Sequence, residues 1–226
     1  VFLIIVASGV LNVASLCSVL NRVHLKPLAR VSVMLSVCLL AGGLAVLVLD
    51  LGRPDRLIVA MTSYNFRSVF TWNVFLYSGF MVIGLIYLWT LMDPAARAWV
   101  GRVGVFALVW RFVLTSGTGF IFGFLVARDS YDAALMAPLF VMLSLSAGLA
   151  VFVICVAAIG RLTGQPLPDG LLGSLSQLLA KLAMLALYLT LVMHAANGYV
   201  VEQAAFSVFV LAHGGGYSTL FWVVFV

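Results

Sequence analysis

The chain has 226 residues, of which 65% are hydrophobic and 8% are charged. Because a soluble domain carries roughly 25% charged residues, this composition excludes a water-soluble globule. Its many aromatic side chains also exclude a disordered chain. The net charge is +5, but the cations are scattered along the chain rather than clustered, so nucleic acid is not expected as a partner. We therefore predict that the lipid bilayer surrounds this protein.

Seven apolar stretches are long enough to cross a bilayer, since a membrane-spanning helix needs about 20 predominantly apolar residues. They comprise residues 1–20, 31–49, 70–91, 103–127, 133–160, 171–196 and 204–226. Seventeen of the nineteen charged residues fall between these stretches, and only Arg111 and Lys181 fall inside them. The alternation of apolar and polar residues that marks a membrane β-barrel is absent. The sequence therefore predicts an all-α, polytopic transmembrane helical bundle with about seven spans.

The domain organisation follows from these stretches. The chain begins without Met and ends within an apolar run, so we expect a fragment of a longer chain. We treat residues 1–226 as a single transmembrane domain. Within it, residues 1–127 are predicted to form a first four-helix bundle, and residues 133–226 are predicted to form part of a second.

The cations between the spans predict the orientation of the bundle. The first, third and fifth connections contain six cations, against four in the second, fourth and sixth. By the positive-inside rule, the first set is cytoplasmic and the connection between the second and third spans lies on the outer face. Arg111 and Lys181 are nearer the cytoplasmic ends of their predicted spans. We interpret them as side chains that snorkel to the interface or form structural pairs, with a proton half-channel as the alternative.

The second connection is dense in charged and hydrogen-bonding side chains. It contains Asp50-Leu51-Gly52-Arg53-Pro54-Asp55-Arg56, then Ser63-Tyr64-Asn65-Phe66-Arg67-Ser68, then Thr71-Trp72-Asn73. Pro54 ends the preceding helix because it lacks an N–H group, which leaves Asp50 and Arg53 near each other at the membrane surface. The segment is either a solvated turn with a structural ion pair and an interfacial Trp, or a pocket wall or docking face.

Three parts of the chain carry a family resemblance. They are Leu49-Asp50-Leu51-Gly52-Arg53-Pro54 with residues 65–68 and 72–73, the glycine-rich stretch 115–128 with 137–140, and residues 211–214 with 221–222. In these motifs, which cover nearly the whole chain, the sequence resembles the NrfD/PsrC family of quinone-interacting membrane subunits. Among the branches of that family, it is most similar to the sulfite-reduction-associated DsrP branch and its Hmc-type relatives.

The resemblance implies a helical bundle of the inner membrane with no haem, iron–sulfur cluster or metal site of its own. It implies that a quinone, either menaquinone or ubiquinone, binds near the periplasmic surface. A periplasmic iron–sulfur subunit would exchange electrons with that quinone, and other membrane subunits would complete a respiratory complex of sulfur or sulfite metabolism. The chain would then be a non-autonomous subunit of a quinone-linked oxidoreductase.

Oxidising a quinol also releases two protons, which need acceptors within about 2.6–3.2 Å. We expect Asp50 to accept a proton and Arg53 to orient it. The residues expected to contact the quinone are Trp72, Asn73, Tyr77, Arg128 and His194. The residues expected to dock the electron-transfer partner are Asp55, Arg56, Asn65 and Arg67.

The chain departs from the family pattern at two positions. Many relatives have His in the position of Ser116 and an acidic residue near the position of His194. The imidazole of His194 titrates near neutral pH and is able to replace that acid, although a structural role is the alternative. Cys17, Cys38 and Cys155 lie in apolar runs without Cys-x-x-Cys spacing, so we expect buried apolar side chains rather than metal ligands.

Three other functions stay open. A dihaem cytochrome b needs four intramembrane His, but the chain has three His in total, of which His24 lies in a loop. A single haem held by His194 and His213 stays open. A secondary transporter would concentrate its polar residues at mid-membrane within inverted repeats, whereas here they concentrate at the outer surface. A haem-free membrane anchor that docks a partner without binding quinone would carry the same motifs.

Overall fold

A computed structural model describes residues 1–19, 26–50, 69–123, 135–164, 170–199 and 208–225. The long helices are α1 (Phe2–Val19), α2 (Lys26–Asp50), α3 (Val69–Met92), α4 (Val100–Gly123), α5 (Met136–Thr163) and α6 (Leu171–Tyr199). The 3₁₀ helix Ala95–Trp99 joins α3 to α4, and a π-helical turn, Phe209–His213, precedes the short helix α7 (Gly216–Phe225). The described residues contain no strand. The predicted all-α polytopic membrane bundle is confirmed.

Within the described ranges, five helices are long and apolar enough to cross a membrane. They cover Leu28–Leu49, Thr71–Met92, Ala95–Gly123, Met136–Thr163 and Leu172–Tyr199. The first predicted span has a shorter apolar segment, Phe2–Ser15. The last predicted span is interrupted at Gly214–Gly216, where Gly215 has a φ of +54°, a conformation that glycine adopts readily and that ends a regular helix. Residues 204–207 of that span lie outside the described part.

Helix α1 is the central helix of the bundle. Nearly every side chain from Ile4 to Ser15 is buried, and α1 packs against α2, α4 and α5. In a bilayer the lipid is as apolar as the helices, so close packing and interhelical hydrogen bonds hold the helices together. The hydroxyl of Ser36 on α2 donates such a bond to the carbonyl oxygen of Ala7, at 2.7 Å.

The crossing of α1 and α5 brings two backbones into contact at Gly9 and Gly148. A Cβ atom on Gly148 would overlap the backbone of Gly9, and a Cβ atom on Gly9 would overlap the carbonyl group of Ser144. One turn away, the Ser144 hydroxyl donates a hydrogen bond to the carbonyl oxygen of Ile5 at 2.8 Å. The small residues at this crossing therefore permit the close approach that membrane helices require.

Helices α2 and α3 hold the other end of α1 through hydroxyl groups. The Ser32 hydroxyl donates to the Val10 carbonyl oxygen at 2.6 Å and accepts from the Ala14 N–H at 3.2 Å. It thus joins two groups that an ideal α-helix would pair directly. The hydroxyl of Tyr87 on α3 donates to the Ala14 carbonyl oxygen at 3.0 Å. The backbone carbonyls of α1 therefore accept hydrogen bonds from three neighbouring helices.

The outer surface of the bundle is apolar, as expected for contact with lipid. Large hydrophobic side chains such as Leu49, Met184 and Leu162 are among the most exposed. Cys38 on α2 is also exposed and Cys155 is only partly buried, which corrects the prediction that both are buried. The reason is that an apolar run in a membrane helix continues over its lipid-facing side.

Helix α5 shares one hydrophobic core with α1 to α4. Its residues Leu149, Phe152 and Val156 pack into the same cluster of buried side chains. The predicted boundary between two bundles, between residues 127 and 133, lies outside the described residues. The division into two bundles therefore stays a prediction.

The glycine crossing of α1 and α5 generates a stability prediction. We expect Gly148→Ala to lower the free energy of unfolding by at least ~1–3 kcal/mol, since the added methyl group forces the two backbones apart. Gly42→Ala on α2 is the matched control, because no atom lies within 4 Å of a Cβ atom built there. Thermal unfolding of the purified protein in detergent measures both. Equal midpoints for Gly148→Ala and Gly42→Ala would contradict the crossing.

Candidate functional site

The C-terminus of α2 and the N-terminus of α3, which flank the polar second connection, lie at one end of the bundle. We call it the Asp50 end, because α2 ends there at Asp50 and α3 begins there. Near the end of α2, Gly43 lies against Ile4, close to the start of α1. Near the end of α4, Gly119 lies against Ala137, close to the start of α5. The antiparallel packing of these helices therefore places the candidate residues of several helices on the same side of the membrane.

Several predicted site residues fall outside the described part of the chain. They are Arg53, Asp55, Arg56, Asn65, Arg67 and Arg128. Asp50 is the last residue of α2, and its side chain also lies outside the described part. The roles assigned to these residues stay predictions. The described candidates are Trp72, Asn73, Tyr77 and His194.

Asn73 and Tyr77 belong to a chain of hydrogen bonds that crosses from α3 to α4 and is partly buried at Asn73 and buried at Tyr77. The Asn73 Nδ2 group lies 3.0 Å from the Tyr77 hydroxyl, to which it donates. The Tyr77 hydroxyl lies 3.4 Å from Thr118 Oγ1, and the Thr118 hydroxyl donates to the Leu114 carbonyl oxygen at 2.9 Å. Because the single hydroxyl hydrogen of Thr118 is used there, the Tyr77 hydroxyl donates to Thr118. Every hydrogen in the chain thus points away from Asn73.

With the hydrogen bonds in this direction, one acceptor atom of Asn73 takes no part in the chain of bonds. Asn73 must present Nδ2 to Tyr77, so its Oδ1 atom points elsewhere. Oδ1 is buried and has no hydrogen-bond partner among the described residues. A buried polar atom without a partner is destabilising by ~1–3 kcal/mol, so it marks a position where a ligand with an O–H or N–H donor would be stabilised.

Trp72 is not brought together with Asn73 and Tyr77. Its side chain is 55% exposed on the outer surface of the bundle. Asn73 and Tyr77 are one helical turn apart and share a face, whereas Trp72 is offset by about 100° from Asn73. Its place near the start of α3 is typical of an interfacial Trp. Its predicted contact with a quinone stays a prediction.

His194 lies on a buried polar face of α6. It is 6% exposed, and its ring meets the ring of Phe221 on α7 edge-on, with centroids 5.5 Å apart. Thr190 and Asn197 are buried on the same face, at the i−4 and i+3 positions from His194. Neither residue was predicted from the sequence, although the helical spacing of both around His194 is visible there.

Thr118 is a further site residue that the sequence analysis did not single out. It lies in the glycine-rich stretch between Gly117 and Gly119, and its burial is nearly complete. The small neighbours let α3 and α5 approach α4, which places the Thr118 hydroxyl at the helix contact. A Thr between glycines in a membrane helix was the signal that could have found it.

The interpretation of Arg111 as a side chain that reaches the interface is wrong. Arg111 is 1% exposed and is the twelfth of the 24 residues of α4, because the helix begins at Val100 rather than at residue 103. Lys181 on α6, by contrast, is exposed, and its interpretation as a snorkelling side chain stays a prediction.

Among the described residues, no group of three or more His, Cys, Asp or Glu is placed to bind a metal ion.

These features define a class of protein: a multi-pass integral membrane protein with polar groups buried among its helices. Its family follows from comparison with known sequences. The chain belongs to the NrfD family, since all of residues 1–226 match the family described as "Polysulphide reductase, NrfD". The family prediction made from the motifs is confirmed.

Two curated relatives agree with this family. Over 222 residues, or 97% of this chain and 56% of the relative, the chain is 28% identical to the "Hdr-like menaquinol oxidoreductase integral membrane subunit" of Archaeoglobus fulgidus. Over 173 residues, or 67% of this chain and 40% of the relative, it is 34% identical to a putative membrane subunit of the dimethyl sulfoxide reductase of Halobacterium salinarum.

The chain spans about half the length of the curated relatives it matches. No solved structure matches the chain. Neither relative carries the DsrP name, so the resemblance to that branch stays a prediction.

The hydrogen-bonded chain between α3 and α4 generates the second prediction. We expect Tyr77→Phe to lower the free energy of unfolding by ~1–3 kcal/mol, because Asn73 Nδ2 loses its acceptor and Thr118 Oγ1 loses the hydrogen bond that it accepts from Tyr77. Tyr188→Phe is the control, since Tyr188 is 62% exposed. Unfolding of both variants by SDS titration in mixed micelles measures the difference. A Tyr77→Phe protein as stable as the control would show that the chain of bonds is absent.

Proposed function

We propose that the chain is the membrane subunit of a quinone-linked oxidoreductase complex and that it binds quinol at the Asp50 end. Membership of the NrfD family across the whole chain supports this proposal, as does the name of a relative, a menaquinol oxidoreductase membrane subunit. The observation that carries it is the buried Oδ1 atom of Asn73, next to Tyr77, which has no hydrogen-bond partner among the described residues.

The donor and acceptor pattern selects the redox form of the ligand. Asn73 Oδ1 is only able to accept a hydrogen bond. The hydroxyl group of a quinol donates one, whereas the carbonyl oxygens of a quinone do not. Tyr77 and Thr118 hold the Asn73 amide in this orientation, because their own hydrogens are used along the chain. The site therefore binds the reduced form more tightly than the oxidised form.

The charged residues of the same end take the proton roles in this proposal. A bound quinol supplies two electrons and two protons. The electrons pass to the docked iron–sulfur subunit. Asp50 accepts the two protons one after the other and releases each to water at the membrane edge, and Arg53 orients the Asp50 carboxylate. Arg128, in the connection after α4, and His194, on the buried face of α6, complete the walls of the site. Trp72 lies at its lipid-facing entrance.

The remaining polar and charged residues of the second connection serve the partner protein. We assign the docking of a periplasmic iron–sulfur subunit to Asp55, Arg56, Asn65 and Arg67, in line with the positive-inside orientation. The complex would lie in the inner membrane, with menaquinone as the quinone that the named relative suggests. A role in sulfur or sulfite metabolism, as in the DsrP branch, is part of this proposal.

The quinol site is tested by binding. We expect Asn73→Leu in the full-length protein to raise the dissociation constant of a fluorescent quinol-site inhibitor about threefold to tenfold, because one hydrogen bond to the inhibitor is lost. Fluorescence quenching and displacement by menaquinol measure the dissociation constant. Ser78→Ala, an exposed residue on the same helix, is the control. Saturable binding that Asn73→Leu leaves unchanged would remove Asn73 from the site, and no binding at all would favour a membrane anchor.

The proton role of Asp50 is tested by turnover. We expect Asp50→Asn to lower quinol-linked electron transfer by the assembled complex at least tenfold, because an amide does not accept the quinol proton as a carboxylate does. Gel filtration of the same preparation checks that the complex is intact. An intact complex with the turnover of the wild type would remove Asp50 from the proton path.

A further inference from the structure

Arg111 is a buried cation in the middle of a membrane-spanning helix. It is the twelfth of the 24 residues of α4, so about 18 Å of helix separates it from either end. Its side chain is 1% exposed. The described helices thus enclose it almost completely, and neither lipid headgroups nor bulk water reach its guanidinium group.

The guanidinium group has few favourable contacts to offset this burial. Its Nε and Nη2 atoms have no hydrogen-bond partner among the described residues. Its Cζ atom lies 4.3 Å from the centroid of the Phe112 ring, which gives a cation–π contact. That contact supplies no hydrogen-bond acceptor, and a buried charge is strongly destabilising unless a counter-charge accompanies it.

No carboxylate of the described chain is placed to supply that counter-charge. The chain has seven Asp and Glu residues. Of these, the described ranges contain Asp50, the last residue of α2, and Asp93, which follows the end of α3. Both lie at helix ends rather than beside the middle of α4. The counter-charge of Arg111 is therefore not found among the described side chains.

Asn12 on α1 lies in the same layer of the bundle as Arg111. The hydroxyl groups of Ser8 and Thr115 are 2.8 Å apart and join α1 to α4. The two helices are antiparallel, so one turn further along α1 and one turn back along α4 lead to Asn12 and Arg111 at the same level. Asn12 is 7% exposed, and its Nδ2 atom also has no partner among the described residues.

The unpartnered groups of this layer are all hydrogen-bond donors, and they carry one positive charge. A single water molecule accepts at most two hydrogen bonds, so it would leave one of the three groups without an acceptor and the charge uncompensated. An anion accepts from all three groups and compensates the charge. The other five carboxylates of the chain fall in the predicted connections between the spans rather than inside them. Because the described helices also cover Arg111 against the carboxylate of another subunit, a small diffusible ion is favoured.

We propose that Arg111 and Asn12 bind one small monovalent anion, such as chloride, between α1 and α4. The Arg111 Nε and Nη2 groups and the Asn12 Nδ2 group donate hydrogen bonds to the ion. The ion stabilises the crossing of α1 and α4 at mid-membrane. This site is separate from the proposed quinol site, which requires a ligand that donates a hydrogen bond.

The test is thermal unfolding of the full-length protein, purified throughout in gluconate and then titrated with chloride at constant ionic strength. We expect the midpoint to rise with chloride and to saturate, because a ligand that binds only the folded state stabilises it. Lys181→Met, which removes an exposed cation, should keep this response. A wild-type midpoint that is the same in gluconate and in chloride overturns the proposal.

Two variants test whether the chloride-dependent rise of the unfolding midpoint depends on Arg111 and Asn12. Arg111→Met should lose the chloride-dependent rise. Asn12→Asp supplies a permanent carboxylate in the same layer, so its midpoint should be independent of chloride and at least as high as that of the wild type in saturating chloride. If Arg111→Met does not fold, Asn12→Asp decides the question. A chloride response of the wild-type size in either variant shows that the ion binds elsewhere and overturns the proposal.

Discussion

The central constraint on this structure is that the backbone of α1 must be approached closely from several sides. In a bilayer, apolar side chains gain little by leaving lipid for another helix, so the helices associate through close packing and hydrogen bonds. At Gly9 the backbones of α1 and α5 touch, and at Val10 and Ala14 the carbonyl oxygens accept from Ser32 and Tyr87. Through these contacts α1 joins α2, α3 and α5 in the core of the bundle.

The packing around α1 buries three polar residues on the inner face of α4. Thr118, Thr115 and Arg111 follow one another along this face, and all are buried. The same face contacts α3 at Thr118 and α1 at Thr115. Within the described helices, the buried group without a partner near the Asp50 end is the acceptor Oδ1 of Asn73, and those of Arg111 and Asn12 at mid-membrane are donors. The two layers of the bundle thus have opposite chemical requirements. The layer of Asn73 requires a ligand that donates a hydrogen bond, and the layer of Arg111 requires a ligand that accepts hydrogen bonds.

Whether a site residue was predicted from the sequence depended on how far along the chain its hydrogen-bond partner lies. Asn73 and Tyr77 were predicted together, and one helical turn of spacing brings their side chains within hydrogen-bond distance. Thr118 was missed because it is 41 residues from Tyr77. Its two glycine neighbours indicate a helix contact, but they do not indicate that the contact is with Tyr77 on α3. The interpretation of Arg111 failed for a related reason, since a span drawn from residue 103 placed the residue nearer a helix end than it is.

The sequence by itself determined that this is a helical membrane protein of the NrfD family. The length and apolarity of its segments are local properties that backbone hydrogen bonding in lipid converts into helices, and the motifs carry the family. Only the tertiary structure decided that α1 is the central helix, that Trp72 faces outward while Tyr77 faces inward, and that Arg111 is enclosed. Those facts depend on the rotation of each helix about its own axis. In an apolar chain surrounded by lipid, hydropathy does not indicate that rotation, and the contacts of glycines and hydroxyl groups decide it.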